Sequence, residues 1–120
     1  MPTVSVQLEE DTQLIVQRVE GILTPESFDL LHDLTAECVA RLRDPTDVRI
    51  LMDSRQLGKS SLATRKRGIA IIRDKNVRKI AFFGGSRLGR VMQLMVLTVI
   101  GGRRVGMFGT EQEARSWIMK

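Results

Sequence analysis

The first third of the chain alternates between apolar and polar residues with a period of two. Apolar residues occupy every second position over residues 3–8, a polar turn follows at residues 9–12, and residues 13–20 again alternate or run apolar. Alternation of this kind is typical of half-buried strands joined by a turn. The pattern predicts a β-hairpin that ends at Gly21.

The pattern then changes to the helical period. Thr24-Pro25-Glu26 is a helix entry, with a hydroxyl N-cap, a proline where no amide hydrogen is needed, and an acid at the positive end of the helix dipole. Apolar residues recur at helical spacing after it: Phe28, Leu31, Leu34, Cys38 and Leu42. These residues predict a helix over 25–43, which Asp44-Pro45 stops.

Short apolar runs and helical segments alternate over the rest of the chain. Strands are predicted at 48–52, 79–83 and 103–108, helices at 61–74 and 87–100, and a capping box at Thr110–Glu113 opens a last helix that carries Trp117. A loop is predicted at 53–60 and a turn at 84–86. The order ββαβαβαβα predicts one α/β domain over residues 1–120, with a mainly parallel sheet and an antiparallel N-terminal hairpin strand.

Composition agrees with a folded domain and adds a charge asymmetry. Of the 120 residues, 42% are apolar and 28% are charged, and the net charge is +5. Residues 1–53 carry a net charge of −7 and residues 54–120 a net charge of +12. The basic half could attract anions or pair with the acidic half.

The N-terminus and the cysteine content favour a cytoplasmic protein. Cys38 is the single cysteine, no signal sequence opens the chain, and the longest apolar run, 91–100, is too short to cross a bilayer. We therefore expect a reducing compartment and no transmembrane segment.

The order of elements and several segments resemble the STAS superfamily, and within it the SpoIIAA-like proteins related to anti-sigma-factor antagonists. The resemblance covers nearly the whole chain and rests on four segments: Glu20-Gly21, Leu23–Phe28, Ile50–Asp53 and Glu113–Ile118. It implies a regulatory, protein-binding domain.

The resemblance also implies a phosphorylation switch after the third strand. The family's Asp-Ser-Ser-Gly-like segment corresponds here to Lys59-Ser60-Ser61-Leu62, which keeps both serines but replaces the acid and the glycine. Ser60 and Ser61 are the candidate phosphate acceptors, and a phosphate there would change the charge of a docking surface. The alternative is that Ser60 serves only as an N-cap.

The turn after the fourth strand has the glycine spacing of a phosphate-binding loop. Arg90 replaces the motif's lysine and Val91 its magnesium-binding hydroxyl, which argues against nucleotide hydrolysis. A simple anion could still bind at a helix start formed by Gly84, Gly85, Ser86, Arg87 and Arg90. The alternative is an ordinary strand-to-helix turn.

The segment from Leu88 to Ile100 is apolar on nearly every side of the predicted helix. Leu88, Met92 and Met95 could belong to the core, to a homodimer interface, or to a surface for an apolar or anionic-lipid ligand. Some SpoIIAA-like proteins resemble lipid-transfer folds of the CRAL-TRIO type, so the last option implies peripheral association with the membrane.

The remaining chemistry favours binding over catalysis. His32 is the only histidine, no spacing suits a metal site, and aromatic residues are too few to stack nucleic-acid bases among the charges. We expect no enzyme activity, cofactor, metal or nucleic-acid partner. Asp53 follows a strand where α/β sheets place functional groups, although it could simply cap the loop, and with Arg55 and Lys59 it completes the predicted interaction surface.

Overall fold

Five strands and two helices make up the part of the chain that the computed structural model describes, residues 3–22, 24–57, 75–84 and 104–120. The strands are β1 (Thr3–Glu9), β2 (Leu14–Gly21), β3 (Val48–Leu57), β4 (Val77–Phe83) and β5 (Val105–Phe108). The helices are α1 (Pro25–Ala40) and α2 (Glu111–Ile118). The predicted helices at 61–74 and 87–100 lie outside the described residues.

The strands form one mixed sheet in the order β1-β2-β3-β4-β5. β1 pairs antiparallel with β2, and each of the other three pairs is parallel. The register aligns Ile15 with Ile50, Ile50 with Ile80, and Ile80 with Val105. This arrangement confirms the predicted α/β fold with its antiparallel hairpin at one edge.

Hydroxyl caps begin both described helices. The Thr24 hydroxyl accepts a hydrogen bond from the Ser27 amide at 3.1 Å, and the Thr110 hydroxyl accepts one from the Glu113 amide at 3.2 Å. Both predicted N-caps are therefore confirmed. α1 ends at Ala40, three residues before the predicted end, where Arg41 caps it.

Each face of the sheet buries an apolar layer, one against α1 and the other against α2. The α1 layer includes Ile15, Cys38, Leu42, Ile50, Ile80 and Val105. The α2 layer includes Leu14, Leu51, Ala81, Phe83, Ala114 and Ile118. Burial raises the pKa of the Cys38 thiol and agrees with its predicted place in the core, while His32 is exposed on α1.

The predicted loop at 53–60 is wrong in its first part, because β3 continues to Leu57. Asp53 pairs with Arg18 of β2 and Phe83 of β4, and Leu57 still pairs with Gly21. Backbone pairing with a neighbouring strand therefore keeps this polar stretch extended. β4 also begins two residues earlier than predicted, and β5 begins at Val105 rather than at 103.

Candidate functional site

A buried carboxylate holds an exposed arginine near the carboxyl end of β3. The Asp53 side chain is 9% exposed and that of Arg55 is 57% exposed. Arg55 donates from Nε to Oδ1 at 3.0 Å and from Nη2 to Oδ2 at 2.7 Å, and its backbone amide donates to Oδ1 at 3.1 Å. Asp53 and Arg55 lie two residues apart on one strand, so their side chains project to the same face of the sheet. The two side-chain hydrogen bonds between them fix the plane of the guanidinium.

The parallel register adds a second arginine to this site. Arg18 lies opposite Asp53, with its Nε 3.9 Å from Oδ2, and its Nη2 pairs with Glu20 Oε1 at 3.0 Å. Arg18 and Glu20 are about half exposed. The two arginines and two carboxylates balance in charge, so this group presents an ordered array of polar groups rather than a strong field.

The electrostatics keep Asp53 ionised. The hydrogen bond from the Arg55 side chain lowers the pKa of Asp53, and it outweighs burial, which acts in the opposite direction. The same pairing raises the pKa of Arg55. Asp53 therefore holds Arg55 in place and is poorly suited to donating a proton at neutral pH.

Residues at the end of β4 pack against Arg55. The Arg55 guanidinium lies 5.4 Å from the centre of the Phe83 ring, and the Ser54 hydroxyl donates to the Phe83 carbonyl at 2.8 Å. Gly84 has φ +80°, and a Cβ there would collide with Arg55 Cγ and lie 3.1 Å from Arg55 Cα. Only glycine lets the chain pass this close to β3 in that conformation.

The structure therefore brings together residues from two predicted segments. Asp53 and Arg55 were expected in a loop and Gly84 in a turn that could bind an anion, and in the structure Gly84 lies against Arg55. We call the group formed by Arg18, Glu20, Asp53, Arg55 and Gly84 the carboxyl-edge site. The other candidates lie outside the described residues: Lys59, Ser60, Ser61, Gly85, Ser86, Arg87, Leu88, Arg90, Met92 and Met95.

Arg18, Glu20 and Ser54 were missed by sequence reasoning. The signal that could have found Arg18 and Glu20 is the parallel pairing of β2 with β3, which places both strands' carboxyl ends at one edge of the sheet. Ser54 is buried, and its hydroxyl donates to the Phe83 carbonyl of β4. A serine within a polar run gives no such indication.

Within the described ranges, no group of three or more candidate ligands could hold a metal ion. The helices in that same part of the chain include none that is long and apolar enough to cross a membrane.

The fold and the carboxyl-edge site together define a small α/β domain with a polar group at the carboxyl end of a mixed sheet. The family model described as SpoIIAA-like matches residues 14–119, and the chain belongs to that family, which confirms the predicted resemblance. No curated protein sequence matches the chain.

Two solved structures are similar to this one. A protein from Shewanella loihica PV-4 with a SpoIIAA-like fold shares 18% identity at a TM-score of 0.73, over 98% of this chain and 93% of its own. The anti-sigma factor antagonist SpoIIAA in its unphosphorylated form shares 12% identity at a TM-score of 0.67, over 95% of this chain and 96% of its own. At these identities the likeness shows the fold.

Proposed function

We propose that this chain is a non-catalytic regulatory domain, spanning residues 1–120, that binds a protein partner through the carboxyl-edge site. The observation that carries the proposal is the exposed Arg55 guanidinium, held in one orientation by the buried Asp53 carboxylate. A fixed arginine can bind a carboxylate or a backbone carbonyl of a partner without first losing side-chain freedom.

The chemistry of the site supports recognition rather than reaction. Asp53 is ionised and forms an ion pair with Arg55, and the neighbouring Arg18 forms an ion pair with Glu20. Arginine and aromatic side chains are both enriched at protein interfaces, and the Arg55 guanidinium lies beside the Phe83 ring. The similar fold of an anti-sigma factor antagonist adds support by analogy, since that protein's name describes a regulator that acts on another protein.

The proposal extends to a phosphorylation switch at Ser60 or Ser61. Ser60 follows the last residue of β3, Leu57, by three positions, so the chain joins both serines directly to the strand that carries Arg55. A phosphate would add about two negative charges. These charges would be added near the carboxyl-edge site along the chain, whose arginines and carboxylates balance in charge.

Affinity capture with matched variants tests the proposal. Arg55→Ala removes the fixed guanidinium, and Arg78→Ala removes an arginine of similar exposure, 61%, near the amino end of β4. From native cell extract, we expect a specific partner that is retained by the wild-type chain and by Arg78→Ala and lost with Arg55→Ala. Equal capture by both variants would reject the carboxyl-edge site as the binding surface.

The switch has its own test on the same partner. Ser60→Asp and Ser61→Asp variants should weaken capture, whereas Ser60→Ala and Ser61→Ala should leave it unchanged. If all four variants bind like the wild-type chain, the switch is wrong and the partner-binding proposal stands.

A second candidate function is a carrier or sensor of an apolar or anionic-lipid ligand, associating at the membrane from the cytoplasm. The apolar composition of residues 88–100 and the basic second half of the chain favour it. Co-sedimentation with vesicles containing phosphatidylserine, compared with neutral vesicles, separates the two functions. A lipid carrier should pellet with the anionic vesicles, and a protein-binding domain should remain in the supernatant.

A further inference from the structure

β1 lies at one edge of the sheet that the described strands form. Among the described residues it pairs with β2 alone, so its outer row of backbone groups has no strand partner in that part of the chain. Proteins usually guard such edges with charged side chains, prolines or bulges. β1 runs for seven residues with one charged side chain, Glu9, and a continuous register to β2.

The charge on Glu9 is itself neutralised within the chain. Arg115 donates to both Glu9 carboxylate oxygens, at 2.8 and 2.7 Å. An edge whose only charge is already paired gives little repulsion to a second strand.

The sequence of β1 is complementary to itself. In a two-fold antiparallel pairing centred on Val6, all seven residues find partners, and each face matches like with like. On the face toward α1, Val4 meets Leu8 of the second copy and Val6 meets Val6. On the other face Ser5 meets Gln7, and Thr3 meets Glu9.

Burial supports this pairing. Val4, Val6 and Leu8 are only half-buried, although they pack against the core beneath α1. A second β1 would cover the open side of this row with the same apolar residues, and cross-strand pairs of this kind stabilise a sheet.

The charges also select the antiparallel arrangement. In this register the two Glu9 residues lie six positions apart along the strands, about 20 Å at the usual rise per residue. In a parallel pairing in register they would lie side by side.

From this self-complementarity we infer that two copies of the chain associate through β1 to form a two-fold dimer with a continuous sheet across the interface. This contact is separate from the predicted dimer surface at residues 88–100. It does not rest on the proposed partner-binding function.

Two variants that differ at one position test the register. Ser5 and Gln7 are exposed and lie opposite each other across the proposed two-fold axis. Ser5→Glu with Gln7→Glu places like charges in both symmetric pairs, and Ser5→Glu with Gln7→Lys places opposite charges there. Because both variants carry Ser5→Glu, any effect on the neighbouring Arg18 of β2 is the same in each.

Sedimentation velocity over a range of protein concentrations measures the result. We expect the wild-type chain to reach twice its chain mass, and the Glu/Glu variant to dimerise roughly tenfold more weakly than the Glu/Lys variant. Circular dichroism confirms that each variant is folded. A wild-type chain that stays at one chain mass would overturn the inference and leave β1 open to an extended peptide. Equal dimerisation by both variants would overturn it too, because the contact would then lie elsewhere.

Discussion

Arg115 of α2 donates to both carboxylate oxygens of Glu9, at 2.8 and 2.7 Å, and so joins the last helix to the end of β1 across 106 positions of the chain. The same guanidinium donates from Nε to Glu111 at 2.8 Å. Side-chain hydrogen bonding from Arg115 lowers the pKa of Glu9, and the pairing with Glu9 raises the pKa of Arg115. This ion pair links the first and last described elements.

Replacing Arg115 should destabilise the domain in a pH-dependent way. Arg115→Met is expected to lower the free energy of unfolding by about 1 kcal/mol at pH 7, a value limited by the solvent that screens a pair about one-third exposed. Because the folded state lowers the pKa of Glu9, this contribution is present above the ordinary value of about 4.3 and is lost as the pH falls through the folded-state pKa. Urea unfolding of both chains at pH 7 and pH 3 measures the change.

Arg41→Met is the matched control. Arg41 Nη2 pairs with Glu10 at 3.2 Å, with side chains 61% and 75% exposed. Its loss should change stability by less than about 0.5 kcal/mol, because exposed pairs contribute little. Equal losses for the two arginines would contradict the structural role assigned to Arg115.

Removing Arg55 should raise the pKa of Asp53. Arg55→Ala removes the side-chain hydrogen bonds, which are the largest influence lowering this pKa, and leaves the burial of a side chain that is 9% exposed, which raises it. The backbone amide of residue 55 still donates to Asp53, so we expect the pKa of Asp53 to rise from its wild-type value by a part of the original shift. Carbon-detected NMR titration of Arg55→Ala against the wild-type chain measures it. Asp44 is the internal control, since hydrogen bonds from Thr46 lower its pKa and should be unaffected. An unchanged Asp53 would show that Arg55 does not hold it.

Gly84→Ala should destabilise the domain by about 1–2 kcal/mol from the positive φ alone, with more from the contact with Arg55. In an Arg55→Ala background the collision with Cγ is removed, while the strain in φ and the contact with the Arg55 backbone remain. The double-mutant cycle, measured by chemical denaturation, should therefore show a smaller cost for Gly84→Ala when Arg55 is absent. Strictly additive losses would show that the two residues do not meet.

A buried polar pair joins β2 to α1, and removing one of its partners should destabilise the domain more than removing both. Gln17 donates to the Thr35 hydroxyl at 2.9 Å, and Thr35 donates to the Leu31 carbonyl at 2.6 Å. Thr35→Val leaves the buried Gln17 amide without this acceptor and should cost about 1–3 kcal/mol. Combining it with Gln17→Leu should recover part of that loss in thermal and chemical unfolding. A double variant less stable than Thr35→Val would contradict this account.

Local signals in the sequence predicted the elements whose cause is local. Alternation gave the β1–β2 hairpin, and hydroxyl caps at Thr24 and Thr110 marked where both described helices begin. The continuation of β3 through Asp53 to Leu57 has no such signal, because polar residues there are kept extended by pairing with β2. Hydrophobic periodicity indicates which side chains of a strand are buried, but it does not indicate which neighbouring strand its backbone pairs with.

The carboxyl-edge site was only partly predictable for the same reason. Asp53 and Arg55 stood out because they follow an apolar strand, but Arg18 and Glu20 become part of the site only through the register of β2 against β3. Gly84 was found as a turn residue, whereas its contact with Arg55 depends on how closely the ends of β3 and β4 approach. Contacts of this kind are properties of the assembled sheet.

The packing around Trp117 gives the domain a built-in optical probe. Trp117 is the only tryptophan in a chain without tyrosine, its ring lies 5.4 Å from that of Phe108, and the Lys79 ammonium is 4.7 Å from its centre. Lys79 also donates to the Trp117 carbonyl at 3.0 Å, so the indole and the end of α2 share one contact with β4. The intrinsic fluorescence of this chain therefore arises at a single position and follows the docking of its last helix without any added label.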